Sequence, residues 1–199
     1  MKVLGIMGSP RRHSNTEILL DKALEGAQEA GAEVEKVLVS KLKISPCLEI
    51  YACRKDGNCA IKDDMQLLYD KLLEADHIIL ASPIFFYGIT SQTKAVVDRC
   101  QALWMRRHVL GIGKEDARAR RGLFISVGAT RGKKLFDGAV LTVKYFFDAI
   151  GVRYFADLLV RGIDNKAQIE ENREALQDAF RLGQKLVLGS STDNEGNKS

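Results

Sequence analysis

Residues 3–16 read VLGIMGSPRRHSNT, an apolar run that ends at a glycine and leads into hydroxyl and amide side chains. The apolar run predicts a buried strand at 3–7, and the helically spaced apolar residues after it predict a helix at 15–30. Gly31 stands where that helix would end. A buried strand followed at once by an amphipathic helix is the unit from which parallel α/β sheets are built.

Apolar and amphipathic stretches alternate in this way as far as about residue 189. The run at 77–82 is almost continuously apolar, which is typical of a central strand covered on both faces. We therefore predict an α/β fold with a doubly wound, five-stranded parallel sheet in a single domain at 1–189, followed by a disordered tail at 190–199. The predicted strands are 3–7, 33–39, 77–82, 122–127 and 152–160, and the predicted helices are 15–30, 63–74, 91–105, 133–150 and 166–188.

The composition excludes several classes of protein. Hydrophobic residues make up 46% and charged residues 28% of the 199 residues, the balance of an ordinary globular domain. No apolar run is long enough to cross a bilayer or to act as a secretory signal, so we expect a cytoplasmic protein. The formal net charge of +4 is concentrated at 105–121. One basic segment is more typical of a solvated loop than of a nucleic-acid-binding face, and the alternative is a patch for an anionic cofactor or partner.

The loop at 8–16 is a candidate anion site. Sheets of this kind bind ligands outside the carboxyl ends of their strands, where this loop would lie. The start of the following helix offers unpaired backbone N–H groups and a partial positive charge, which together hold a phosphate without a metal. The alternative is that Ser14 or Asn15 simply caps the helix. The candidate donor side chains are Ser9, Arg11, Arg12, Ser14, Asn15 and Thr16.

Four motifs, taken together, resemble the NADPH-dependent FMN reductase group of flavodoxin-like proteins and, more narrowly, the iron-sulfur flavoproteins. They are GSPR at 8–11 with SNT at 14–16, SPIFFYG at 82–88, KAVVDR at 94–99, and ISPC at 44–47 leading to DDM at 63–65. The resemblance spans roughly residues 1–160. It implies the flavodoxin-like strand order 2-1-3-4-5 with helices on both faces of the sheet, and it implies bound FMN.

The resemblance also implies three regions of flavin contact. The phosphate would be held by Ser9, Arg11, Ser14, Asn15 and Thr16. The isoalloxazine ring would be bordered by Pro83, Ile84, Phe85, Phe86, Tyr87 and Gly88, which supply the apolar surface and backbone groups that a flat ring needs. A third loop would consist of Gly128, Ala129, Thr130, Arg131 and Gly132, with Thr130 or Arg131 stabilising negative charge on the reduced ring. Core packing or an oligomer contact is the alternative for the three aromatic residues, and we expect at least one of them in the core.

Three cysteines, Cys47, Cys53 and Cys59, follow the spacing C-x5-C-x5-C. In an intracellular chain this favours metal ligation or free thiols over disulfides. The iron-sulfur flavoproteins, which this region resembles, carry C-x2-C-x2-C followed by a fourth cysteine, and Ile50 occupies the second position of that pattern. Because a four-iron cluster normally takes four thiolates, we expect no stable iron-sulfur cluster, with a three-cysteine cluster or a zinc site as the alternatives. Cys100 falls within a predicted helix, and we expect it in the core.

The resemblance implies an oxidoreductase in which NADPH or NADH gives a hydride to FMN and a small acceptor, such as a quinone or a free flavin, takes the electrons. The flavin performs the chemistry, so no catalytic side chain is expected. The alternatives are a flavodoxin-like carrier that serves protein redox partners, which the basic net charge disfavours, and a flavin sensor or interaction module. The resemblance further implies a homodimer or homotetramer, for which the segment at 104–108 is our candidate contact. His77, at the start of a buried strand, is interpreted as a structural residue.

Overall fold

The computed structural model describes residues 1–113 and 118–189 and confirms the predicted α/β fold. Five parallel strands form one sheet in the order β2-β1-β3-β4-β5, as the resemblance implied. The strands are β1 (Lys2–Met7), β2 (Glu33–Leu38), β3 (His77–Ala81), β4 (Arg121–Gly128) and β5 (Arg153–Arg161). The predicted tail at 190–199 and three charged residues of the basic segment, Lys114, Glu115 and Asp116, lie outside the described residues.

Helices cover both faces of the sheet. The α-helices of the described residues are α1 (Asn15–Glu29), α2 (Cys53–Asp56), α3 (Met65–Glu74), α4 (Ser91–Arg99), α5 (Gln101–Trp104), α6 (Asp137–Ala149) and α7 (Arg173–Leu188). Short helical turns lie at Val39–Lys41, Met105–Val109 and Gln168–Glu171. Within 1–113 and 118–189, no helix combines the length and the apolar character needed to cross a membrane.

Each face of the sheet carries its own hydrophobic core. On one face α1 and α7 pack together, and on the other face α3, α4 and α6 cover the sheet. All five residues of β3 are buried between these cores, as predicted for the central strand. Two glycines let α1 and α7 approach closely, since a Cβ atom would lie 2.0 Å from the carbonyl oxygen of Phe180 at Gly26 and 1.9 Å from that of Ala23 at Gly183.

Three predicted helices differ from the observed ones by a break or by more than two residues. The helix predicted at 91–105 is interrupted at Cys100, whose N–H is shared between the carbonyl oxygens of Val96 and Val97. The helix predicted to begin at 133 begins at Asp137, because the residues before it form turns. The last helix begins at Arg173 rather than 166, where Oδ1 of Asn172 caps it by accepting from the N–H of Ala175 at 3.0 Å.

The interpretation of the basic segment as a solvated loop is wrong for Arg120. This side chain is buried, and its guanidinium donates to the carbonyl oxygens of Leu72, Ala75 and Ile150. Arg118 donates in the same way to the carbonyl oxygens of residues 73 and 74. Carbonyl groups at the C-termini of helices carry partial negative charge, which cations stabilise. The two arginines therefore connect the start of β4 to the ends of α3 and α6.

Candidate functional site

The first predicted loop joins β1 to α1 and is tied to the centre of the sheet. The N–H of Gly8 donates to the carbonyl oxygen of Ala81 at 2.7 Å, which extends the β1–β3 pairing beyond the strand. A Cβ atom at Gly8 would lie 2.0 Å from Oγ1 of Thr93, so only glycine fits here. The loop therefore leaves the sheet at a fixed position beside the first turn of α4.

Ser14 caps the start of α1. Its Oγ accepts from the N–H of Glu17 at 3.2 Å, so of the two predicted caps the structure selects Ser14 over Asn15. Glu17 in turn accepts from the N–H of His13 at 2.6 Å and from Nζ of Lys36 at 3.2 Å. Burial opposes ionisation of Glu17, but these hydrogen bonds outweigh it and hold the pKa of the carboxyl below its ordinary value. The negative charge near the start of the helix is thus balanced by Lys36.

Three other polar residues of the loop, Ser9, Thr16 and Asn15, differ in what surrounds their side chains. Ser9 and Thr16 are buried at the base of the loop. Asn15 instead reaches the segment after β5, where its Nδ2 donates to the carbonyl oxygen of Asn165 at 2.8 Å and its Oδ1 accepts from the N–H of Ile169 at 3.1 Å. Asn15 therefore fixes that segment against α1, a contact that the sequence did not predict.

The second predicted loop, after β3, is a tight turn with two aromatic residues at its tip. Phe85 and Gly88 exchange backbone hydrogen bonds of 2.9 and 3.0 Å. Between them, Phe86 and Tyr87 have φ values of 47° and 62°, the left-handed values of a type I′ turn. Two adjacent non-glycine residues in this conformation are strained, and strain of this kind is concentrated at functional sites.

The aromatic side chains of this turn lie outside the core. Phe85 and Tyr87 are about half exposed, and Phe86 is fully exposed. The prediction that at least one of the three packs into the core is wrong, because the turn holds them beyond the end of the sheet. Ile84 is the loop residue that packs against the core. Exposed rings at this edge form an apolar surface suited to a flat ligand or to another protein surface.

The third predicted loop, after β4, lies against the second. The carbonyl oxygen of Gly128 accepts from the N–H of Gly162 at 2.8 Å, and Arg131 packs over Gly162. A Cβ atom at Gly132 would lie 3.7 Å from the hydroxyl oxygen of Tyr87. The third loop can therefore border the same ligand as the aromatic turn. Its exposed residues are Ala129, Thr130, Arg131 and Gly132.

A buried network of hydroxyl groups connects the loops from beneath. Oγ1 of Thr90 donates to the carbonyl oxygen of Gly8 at 2.7 Å and lies 2.8 Å from Oγ1 of Thr93. Oγ of Ser82 accepts from the N–H of Thr90 at 3.1 Å, and the Ser82 carbonyl oxygen accepts from Oγ of Ser126 at 2.7 Å. These positioning residues were not predicted. The sequence feature that could have indicated them is a serine in or directly after each of two apolar strands, Ser126 in β4 and Ser82 after β3.

A cavity of about 150 Å³ lies where the loops meet. Its walls contain all five predicted residues of the first loop, three of the second and one of the third: Ser9, Arg11, Ser14, Asn15, Thr16, Pro83, Ile84, Phe85 and Ala129. The predicted residues Phe86, Tyr87, Gly88, Gly128, Thr130, Arg131 and Gly132 do not line it. Four wall residues were not predicted, namely Pro10, Val127, Ile163 and Asp164. The last two follow β5, whose carboxyl end lies at the same edge of the sheet.

The chemistry of these walls fits a mononucleotide that carries a flat ring. The hydroxyls of Ser9 and Thr16, the guanidinium of Arg11 and the start of α1 are donors suited to a phosphate. Pro83 and Ile84 add apolar surface in the same cavity. The site thus has one polar part and one apolar part, as FMN requires.

Comparison with known proteins identifies the family. The family described as NADPH-dependent FMN reductase matches residues 1–152. The chain belongs to the NADPH-dependent FMN reductase family. An iron-sulfur flavoprotein of Methanocaldococcus jannaschii is 38% identical over 131 residues, which cover 66% of this chain and 64% of that relative, so the match spans less than two thirds of the relative's length.

Two further proteins are similar to this member of the FMN reductase family. A putative NAD(P)H-dependent FMN-containing oxidoreductase of Bacillus subtilis is 24% identical over 182 residues, covering 92% of this chain and 96% of the relative. The structure of an NAD(P)H:quinone oxidoreductase from Methanothermobacter marburgensis has a TM-score of 0.74 at 17% identity, covering 94% of this chain and 96% of the other. The flavodoxin-like architecture is thereby confirmed.

Two residues of this FMN reductase family member occupy the structural positions predicted for them. Cys100 is fully buried, and burial raises the pKa of its thiol far above the ordinary value. His77 is buried, its Nδ1 accepts from the N–H of Arg121 at 3.1 Å, and burial lowers the pKa of its imidazole. The other three cysteines, Cys47, Cys53 and Cys59, are partly buried free thiols. Among the described residues, no group of three or more His, Cys, Asp or Glu side chains is arranged to hold a metal ion.

Proposed function

We propose that the protein is an FMN-dependent oxidoreductase that takes a hydride from NADPH or NADH and passes electrons to a small acceptor such as a quinone or a free flavin. The observation that carries this proposal is the cavity at the carboxyl ends of the strands, to which all three predicted loops contribute. Ligands of doubly wound sheets bind at this edge. The family match and the relative named as an FMN-containing oxidoreductase support the same cofactor.

The start of α1 would hold the phosphate of FMN. This helix has 15 residues, and its first N–H groups and the positive end of its dipole favour an anion. Thr16 and Ser9 would donate hydroxyl hydrogen bonds, and Arg11 would add a charge-assisted one. Oγ of Ser14 accepts from Glu17, which leaves the hydroxyl proton of Ser14 for a phosphate oxygen.

The second and third loops would border the flavin ring. The N–H of Ile84 donates to the carbonyl oxygen of Val127 at 3.0 Å, which fixes the backbone that would face the ring. The exposed rings of Phe86 and Tyr87 would shield the nicotinamide or the acceptor from water. Arg131, on the third loop beside this turn, would stabilise negative charge on the reduced flavin.

The residues of the site bind, orient and exclude water, and none is assigned as an acid or a base. Bound FMN would supply the hydride and electron transfer. The hydroxyl network around Thr90 would keep the phosphate loop and the aromatic turn at a fixed separation. Fixed positioning of the reacting partners is the main contribution that a protein makes to a reaction of this kind.

Absorption spectroscopy of the purified chain with FMN tests this proposal. The chain is expected to retain the flavin on desalting, to lose the yellow colour when mixed anaerobically with NADPH or NADH, and to regain it when a quinone is added. A bound flavin that stays yellow with both nicotinamides would contradict the reductase and would favour a carrier that serves protein partners. A chain that does not retain FMN would contradict the cofactor assignment.

The proposal includes assembly as a homodimer or homotetramer through residues 104–108. Within this segment Trp104 stacks on His108 with ring centroids 5.3 Å apart. The side chain of Arg106 packs over Gly57, so this arginine also has a contact within the chain. The double variant Arg106→Glu and Arg107→Glu is expected to change the mass of the protein in solution, measured by light scattering, or its affinity for NADPH. No change in either would remove the segment from consideration.

A further inference from the structure

Residues 43–64 are called the cysteine loop. The carboxylates of Asp63 and Asp64, at its end, bind backbone N–H groups at its start. The N–H of Lys43 donates to Oδ2 of Asp64 at 2.7 Å, and the N–H of Asp64 donates to the carbonyl oxygen of Lys43 at 3.3 Å. Further along, the N–H of Ser45 donates to Oδ2 of Asp63 at 2.9 Å. Hydrogen bonds to a carboxylate are among the strong ones, and these use only atoms of the chain.

Arg99 of α4 reinforces this closure from the interior. Its side chain is fully buried, and its guanidinium donates to both carboxylate oxygens of Asp63, at 2.8 and 3.1 Å. It also donates to the carbonyl oxygens of Ser45 at 3.0 Å and Ile61 at 3.2 Å. Burial opposes ionisation of Asp63, but Arg99 and two backbone N–H groups outweigh it and hold the pKa of this carboxyl below its ordinary value. The loop is therefore attached to α4 through a buried ion pair.

The donor set of the cysteine loop does not fit a four-iron cluster. Such clusters are bound by four thiolates, and the loop has three, Cys47, Cys53 and Cys59. Ile50 occupies the second place of the four-cysteine spacing, and its side chain is 57% exposed. Cys100, the fourth cysteine of the chain, is fully buried in the core next to α4. The loop therefore offers one thiolate fewer than a four-iron cluster takes.

The cysteine loop contributes to the lining of a second cavity. Cys47 and Cys53 line a cavity of about 700 Å³, and Trp104 and Tyr145 line it as well. The backbone on either side of Ile50 is left-handed, with φ values of 51° at residue 49 and 60° at Tyr51. The loop thus holds an uncommon backbone shape as one wall of a cavity.

We infer that the cysteine loop keeps its fold without a four-iron cluster because Asp63, Asp64 and Arg99 close it, and that Ile50, at the second place of the four-cysteine spacing, leaves the loop one thiolate short of such a cluster. The first half concerns the fold of the loop, and the second half concerns its ligand set. None of these four residues lines the flavin cavity. The flavin content of each variant therefore reports separately on the proposed function.

Anaerobic reconstitution with ferrous iron and sulfide tests the role of Ile50. After desalting, the wild-type chain is expected to retain less than about one iron, and Ile50→Cys about four irons with matching sulfide and a visible cluster absorption. Ile50→Ala is the matched control, since it removes the same side chain without adding a thiol, and it is expected to behave as wild type. About four irons in the wild-type chain would overturn the inference, as would an Ile50→Cys protein that takes up no cluster.

Hydrogen exchange of the metal-free chain tests the closure. The amides of Lys43 and Ser45 are expected to be protected, and Asp64→Ala is expected to speed exchange at Lys43 by about tenfold or more. This variant avoids leaving the buried Arg99 without its partner. Asp98→Ala, which removes the exposed ion pair with Lys94 on the same helix, is the control and should leave both amides unchanged.

Fast exchange at both amides in the metal-free wild-type chain would overturn the inference, because the loop would then be open without a cluster. Protection that arises only after iron and sulfide are added would do the same. Loss of FMN from wild-type samples in which both amides stay protected would count against the proposed function and leave the closure intact.

Discussion

Phe86 shows at the scale of one residue that the aromatic turn is not built for stability. Its left-handed backbone is unfavourable by about 1 kcal/mol for a residue with a β-carbon. Its ring is fully exposed and contributes nothing to the core. Glycine or asparagine would form the same turn at lower cost. The ring at this position is therefore expected to serve a contact outside the fold of the chain.

Comparing Phe86→Gly with Phe86→Ala separates the effect of losing the ring from the effect of relieving the backbone strain. Both variants lack the ring, so both are expected to bind FMN more weakly and by a similar factor. Phe86→Gly also relieves the backbone, and its free energy of unfolding is expected to exceed that of Phe86→Ala by about 1 kcal/mol. Urea unfolding of the flavin-free proteins and flavin titration measure the two effects. Equal stabilities would contradict the strain, and unchanged FMN affinity in both would contradict the ring contact.

His77 is expected to make stability depend on pH. Burial lowers the pKa of its imidazole in the folded chain, with Arg121 adding to the effect, so the unfolded chain binds the proton more tightly. The contribution of His77 to the free energy of unfolding is complete above its pKa in the unfolded chain, about 6.5. It is lost as the pH falls towards the lower pKa in the folded chain. His77→Asn keeps an acceptor for the N–H of Arg121. Denaturant unfolding between pH 8 and 5 should show that this variant loses less stability on acidification than the wild-type chain. Equal losses in the two proteins would show that His77 does not cause the pH dependence.

At the scale of the helix, Ser14 has two separable roles, as a cap and as part of an anion site. Ser14→Ala is expected to lower the free energy of unfolding by about 1 kcal/mol, because the N–H of Glu17 loses its acceptor. Ser14→Asp keeps an acceptor and should retain the stability, but it places a negative charge where the phosphate would lie. FMN is expected to bind Ser14→Asp about tenfold more weakly, while riboflavin, which lacks the phosphate, binds as it does to wild type. Equal weakening for both ligands would place the phosphate elsewhere.

Elements with a local signal were predicted well, and those decided by tertiary contacts were not. The strands were located to within one or two residues, because each is a nearly continuous apolar or alternating run. The break at Cys100 has no such signal, since the apolar spacing continues across it. The start of α7 depends on the cap at Asn172, and the apolar pattern begins before it.

The topology of the whole molecule explains which parts of the site could be predicted. β1, β3 and β4 are neighbours in the sheet, so the loops at their carboxyl ends converge, and motifs on these loops were enough to locate the cavity. Thr90 and Asn15 act through backbone atoms 82 and 150 residues away in the sequence. No local pattern marks such contacts, and they became visible only with the fold.

The cavity where the loops meet leads to a kinetic prediction for the whole molecule. Phe85 of the exposed aromatic turn lines this cavity, so the nicotinamide and the acceptor are expected to use the same side of the flavin in turn. One must then leave before the other binds, and initial rates at varied NADPH and quinone concentrations should give parallel double-reciprocal lines. Phe86→Ala, which alters this shared surface, is expected to raise the KM values of both substrates together. Intersecting lines, or a change confined to one KM, would show that donor and acceptor occupy separate sites.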